Sequence, residues 1–162
     1  MPKVLNNRAE RAARLLRVMS QWWDGSRVSE IADEHGLSFQ RVYVLLASVG
    51  CRWQLRRRKR VSRYADPSWR PPAADVAKAR GAVEHPAFRR LPVRQRGALA
   101  WRALGLNLPE ISARMGSYPA ATRDILLAAH WKFERLSRKP DPSPLQDCAR
   151  QVIMRPFLRK TG

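Results

Sequence analysis

The chain has 162 residues, enough for one ordinary domain or two very small ones. It carries 32 Lys and Arg against 13 Asp and Glu, a formal net charge of +19, and its 44 % apolar content excludes a wholly disordered chain. No apolar run approaches the roughly 18 residues of a membrane-spanning helix, the first residues contain no apolar leader segment, and Cys51 and Cys148 form no CxxC or Cys/His cluster. A membrane span, secretion, a disulfide scaffold and a zinc module are therefore not expected; a reducing cytoplasm is.

Self-repulsion at this charge favours a polyanionic partner. Arg outnumbers Lys 26 to 6, and its planar fork suits phosphates and guanine edges better than an ammonium does. A GC-rich genome explains much of that ratio and little of the net charge. The basic residues run through amphipathic segments instead of lining one helix face, which disfavours a membrane surface. Nucleic acid is the expected partner on charge alone, and double-stranded DNA is the form that the helix-turn-helix reading below calls for.

Helical signals dominate, and no sustained alternation of apolar and polar residues appears. Residues 6–23 place Leu15, Leu16, Met19, Trp22 and Trp23 at helical spacing, ended by Asp24-Gly25. A short helix over 28–35 stops at Gly36, and Ser38 can cap a third over 39–49. That third helix buries Val42, Leu45, Leu46 and Val49 and closes at Gly50. The character changes at 51–75, where the basic run RWQLRRRKRVSR precedes the Pro-containing YADPSWRPPA. Further helices are expected over 75–84, 93–104, 108–115 and 119–136, then a second linker over 138–144 and a tail helix over 145–157. Trp22, Trp23, Trp101 and Trp131 are expected in the core. Trp53 and Trp69 either stack on bases or clamp the linker.

Two helix–Gly–helix stretches lie 80 residues apart. Superposing Gly36 on Gly116 also pairs Glu30 with Glu110, Ile31 with Ile111 and Leu46 with Leu126. The first stretch, VSEIADEHGLSFQRVYVLLA, meets the demands of a helix-turn-helix. Ala32 permits close packing, Gly36 turns the chain, and Ile31, Leu37, Val42 and Leu45 form the inter-helix core. His35 departs, standing where an apolar residue is usual.

The second stretch, with Leu91, Pro92, Arg94, Gln95, Arg96, Glu110, Ile111, Gly116, Thr122, Arg123 and Leu126, resembles region 4 of bacterial sigma factors. The resemblance covers residues 91–137, under a third of the chain. It departs at Ser112, Ser117 and Thr122, where less polar residues are usual, and these departures are expected to weaken the inter-helix core. The first stretch resembles the same superfamily more loosely, in the form seen in many phage and mobile-element regulators. The resemblance implies tandem helix-turn-helix modules and transcription regulation, and it brings in RNA polymerase as a second possible partner.

In that geometry the second helix of each motif enters the major groove. For the first motif the candidate DNA-contacting residues are Ser38, Gln40, Arg41 and Tyr43; for the second, Tyr118, Ala120, Arg123 and Asp124. Gln suits adenine N6/N7 and Arg suits guanine O6/N7, whereas Ala offers only apolar contact, so the second helix should read fewer bases. Arg52, Arg56, Arg57, Arg58, Lys59, Arg60 and Arg63 form the densest basic cluster, a candidate arm along phosphates or in a minor groove.

His35, His85 and His130 are scattered, no Gly-rich phosphate loop exists, and the acids show no two-metal spacing. No enzyme activity, cofactor or metal is expected. The expected architecture is all-α: a helix-turn-helix module over 1–50, a basic, Pro-containing linker over 51–75, a second module over 76–138, and a linker with tail helix over 139–162. Such a chain would bind a bipartite site as a monomer or a longer palindrome as a homodimer. A recombination accessory protein is a further alternative.

Overall fold

The computed structural model describes residues 8–58 and 69–138. Every regular element among them is helical, so the fold is all-α. The predicted tail helix and second linker lie outside the described residues, as do residues 1–7 and 59–68.

Helix α1, Arg8–Asp24, turns Ala12, Leu15, Val18, Met19 and Trp22 inward. The spacing of three and four is what a single buried stripe requires. Gly25, at φ 119°, lets the chain leave it. Helix α2, Val28–His35, begins where the Glu30 carboxylate accepts the Arg27 N–H at 2.8 Å. Gly36 closes it at φ 59°, ψ 39°, a left-handed conformation that costs glycine little. Helix α3, Phe39–Ser48, is capped by Ser38, whose hydroxyl accepts the Arg41 N–H at 3.2 Å. Val42 and Leu46 face the core, and Val49 is buried just beyond the last turn.

Within the stretch expected to be a linker, Trp53–Arg58 form a short helix, α4, and α5 already begins at Ala73 (Ala73–Glu84). A 3-10 turn, Pro86–Arg90, leads to α6, Val93–Ala103. All seven residues from Gly97 to Ala103 are buried. A helix apolar all round must be central, and α6 packs against α5, α7 and α8 as well as α1 and α3. The charged member, Arg102, donates to the Leu106 carbonyl at 3.0 Å, and burial pulls its pKa below the ordinary value against a smaller opposing influence of Asp75.

Helix α7, Leu108–Met115, starts in a reciprocal cap: Asn107 Oδ1 accepts the Glu110 N–H and Glu110 accepts the Asn107 N–H, both at 2.9 Å. Gly116 ends it at φ 63°, ψ 40°, and α8 runs over Pro119–Ser137. The bounds of α2 and α7, and the starts of α3 and α8, coincide under the shift of 80 residues. Glu30 and Glu110 match because each caps a helix.

The two halves share one contiguous cluster of buried side chains. Helix α1 packs on α5 and α6, α3 on α6 and α4 on α7. The approach is close: a Cβ built on Gly97 would collide with the Val49 carbonyl oxygen. Trp23 of α1 meets Trp101 of α6 edge-on at 5.9 Å, and the Arg114 guanidinium lies about 5 Å from both rings. The first and second helix–Gly–helix units are therefore joined through a common core, and not by the intervening stretch alone.

Candidate nucleic-acid interface

The first unit is held from both sides of its turn. Ile31, Ala32 and Val42 are buried between α2 and α3, with Leu37 and Leu45 partly buried beside them. His35, unusual for its position, has its Nε2 within 2.9 Å of Gln21 Oε1, and the Gln21 amide donates to Glu34 at 2.8 Å. A polar clasp between α1 and α2 thus replaces the apolar contact that this position normally supplies.

On the outer face of α3, Gln40 and Arg41 are exposed. Ser38 is exposed with one lone pair committed to the Arg41 N–H. Tyr43 is also exposed, its ring edge-on to Phe39 at 4.8 Å. Phe39 is 54 % and Val44 51 % exposed. Neither was among the expected site residues. The helical period places Val44 opposite Val42 and Leu46, an apolar residue with no core to cover, whereas Phe39 shares their face and is exposed because it stands in the first turn of the helix.

The basic cluster divides. Arg52 is exposed. Arg56 is not a free arm residue: its guanidinium donates to the Ser26 carbonyl at 3.2 Å and lies 4.8 Å from the Trp53 ring and 5.3 Å from that of Trp22. Trp22, 1 % exposed, needs this cover, which arrives from α4. Arg57 and Arg58 end α4. Lys59, Arg60 and Arg63 lie outside the described residues. Trp53 packs edge-on to Trp22 at 5.7 Å, and the Trp69 carbonyl accepts from the Asn107 amide at 3.2 Å.

In the second unit Tyr118, Ala120 and Arg123 are exposed at the start of α8, Tyr118 by 81 %. Arg123 lies 3.8 Å from the Asp124 carboxylate, which lowers the positive potential of this helix face. Ser112 and Thr122 do not leave a weak core. Both are buried; Ser112 Oγ is 2.7 Å from the Leu108 carbonyl and 2.9 Å from Thr122 Oγ1, so α7 and α8 are joined by a hydroxyl pair.

Trp131 corrects the expected core. It is 64 % exposed, and Leu127, one turn earlier, is 62 % exposed. The inner face of α8 is Thr122, Leu126 and Ala129; Trp131 stands five residues from Leu126, about 140° around the helix. Cys51 sits among apolar groups, and burial pushes its thiol pKa up to about 12 against the opposing Arg114 charge, so it is an unreactive thiol near neutral pH. No group of His, Cys, Asp or Glu among the described residues is arranged to hold a metal ion. No helix among them is long and apolar enough to cross a membrane.

Comparison with protein-family models, with curated proteins and with solved structures finds no match for this chain.

Proposed function

We propose that the protein is a sequence-specific regulator of transcription in which α2 and α3 act as a helix-turn-helix on double-stranded DNA. The observation that carries this reading is the presentation of α3: seated by left-handed Gly36, capped by Ser38, and carrying Gln40 and Arg41 in solvent opposite its buried face. In the major groove Gln40 bonds adenine and Arg41 guanine, while Tyr43, Phe39 and Val44 supply apolar contact to thymine methyls. Arg52, Arg57, Arg58, Lys59, Arg60 and Arg63 neutralise phosphates. Even if every carboxylate paired with a cation, nineteen of the 32 basic side chains would remain for that task. The expected setting is a bacterial cytoplasm, with the protein on the nucleoid when bound, as the loose resemblance to phage and mobile-element regulators implies.

Selection of bound sequences from random duplex DNA tests this. The expected outcome is a sharp motif, bound at least about 10³-fold more tightly than random duplex. Salt-sensitive binding with no motif overturns it. Replacing Arg57, Arg58, Lys59 and Arg60 with Ala, with Arg56 kept for its hydrogen bond to Ser26, should weaken binding to all duplexes. It should also flatten the log–log salt slope by about 0.9 for each phosphate that is no longer neutralised.

A second reading is a factor that binds RNA polymerase. The apolar exposure of α8 at Leu127 and Trp131 favours it, since groove readout has little use for that area. Pull-down of purified polymerase without promoter DNA is the corresponding test.

A further inference from the structure

Helix α8 continues well past the point at which its counterpart stops. Helix α3 ends at Ser48, and the chain from Val49 to Cys51 is then covered by α6, where Gly97 admits the Val49 carbonyl and Val93 touches Gly50. Helix α8 runs on to Ser137, and no element among the described residues covers the outer side of its last three turns. There Arg123, Leu127, Trp131 and Arg135 follow one another at intervals of four residues, a single stripe of two apolar side chains between two cations. Arg135 lies over the Trp131 ring at 5.0 Å. Trp131, Glu134, Arg135 and Arg138 line a cleft of about 250 Å³. Glu134 is engaged by Lys78 at 3.2 Å, which leaves Arg135 and Arg138 to set the charge around Trp131.

We propose that this stripe docks a protein partner: a helix with an apolar face rimmed by Asp and Glu. Three observations define that occupant, and two exclude its alternatives. Leu127 and Trp131 demand an apolar surface, because together they are the largest contiguous exposed apolar side chains on α8. The flanking guanidiniums favour carboxylates. Within this chain the corresponding end of α3 is covered by a helix, so α8 invites the same shape of cover. A second copy is the wrong chemistry: it carries +19, and the residue that answers to Gly97 in its first unit is the exposed Arg17, which bars so close an approach. A nucleic acid is also disfavoured, since Leu127, half of the exposed apolar pair, offers no stacking face.

This surface goes beyond DNA readout by α3 and stands without it. The test uses the full chain and two synthetic amphipathic helical peptides with the same Leu-rich face, one rimmed by Glu and one by Lys, titrated by fluorescence anisotropy. The Glu-rimmed peptide should bind at least about tenfold more tightly. Trp131→Ala and Leu127→Ala should each weaken it by about tenfold or more with unchanged helical circular dichroism. Arg135→Glu with Arg138→Glu should reverse the preference between the two peptides. Equal binding of both peptides, or binding that survives Trp131→Ala, overturns the proposal. So does displacement of the Glu-rimmed peptide by a single-stranded oligonucleotide, or a concentration-dependent dimer that Leu127→Ala abolishes. Loss of the sequence motif in the DNA selection would leave this outcome untouched.

Discussion

The α2–α3 and α7–α8 units have the same skeleton and different fillings. Both turn on a left-handed glycine and both begin with a Glu that caps the helix three residues in. Between their helices the first packs Ala32 against Val42; the second places Ser112 beside Thr122 with a 2.9 Å hydrogen bond. The clasp to the preceding helix differs too. Gln21 and Glu34 hold it by a hydrogen bond in the first unit, while the residues 80 positions on, Trp101 and Arg114, hold it by a cation over a ring. Burial lowers the pKa of Arg114 more than the nearby Glu110, Asp24 and Cys51 raise it. Gln21 and Glu34 meet near the surface, whereas Trp101 and Arg114 lie beneath Trp23 of the first unit. A repeated skeleton thus leaves each copy free to specialise: the first keeps an open helix face, while the second supplies the surface that receives its neighbour.

The sharpest way to break that arrangement is at the junction between units. Gly97→Ala should lower the urea-unfolding free energy by about 3 kcal/mol, because its methyl meets backbone that cannot yield. Gly81→Ala, also on a helix but facing open space, should raise it by up to about 1 kcal/mol. Equal effects at the two glycines would mean that the units do not press together at Gly97.

Readout should separate the units next. Arg41→Ala is expected to cost about 1–3 kcal/mol on the selected duplex and to relax preference at one position. Arg123→Ala, beside Asp124, should cost less than half of that in the same filter-binding titration. A larger loss at Arg123 would assign the main DNA-reading role to α8.

A mutant cycle tests the hydroxyl pair. Ser112→Ala alone strands the buried Thr122 hydroxyl and should destabilise the fold by about 1–2 kcal/mol. Adding Thr122→Val recreates the filling of the first unit and should recover most of it, seen as a thermal midpoint returning towards wild type.

The smallest effect concerns acidity. Burial, with help from Lys78, holds His130 below its ordinary pKa of 6.5 despite the opposing Glu134 and Asp75. The unfolded chain therefore binds the proton more readily than the folded one, and stability should fall as pH drops through 6.5 towards the lowered value. His130→Gln should flatten the thermal midpoint over that window; an unchanged slope would place the pH dependence elsewhere.

Much of this is legible in the residues. The stops at Gly36 and Gly116, the cap at Ser38, the buried face of α3 and the exposure of Gln40 and Arg41 all follow from signals within a few residues of one another. The basic neighbours of Arg56 point to a phosphate arm; only the Trp22 ring and the Ser26 carbonyl, brought up from thirty residues away, turn it inward. Apolar character alone assigns Trp131 to the core, although its angle on α8 already sets it apart from Leu126 and Ala129.

What local order specifies, then, is a pair of like helical units and their turns, since the hydrogen bonds and caps of these helices reach no further than five residues along the chain. Which faces are covered depends on the packing of units 80 residues apart, and on a single missing Cβ at Gly97. Periodicity can say that a helix has a buried side; it takes the neighbour's shape to say whether a second side is buried as well. On α6 it is, and on the last turns of α8 it is not.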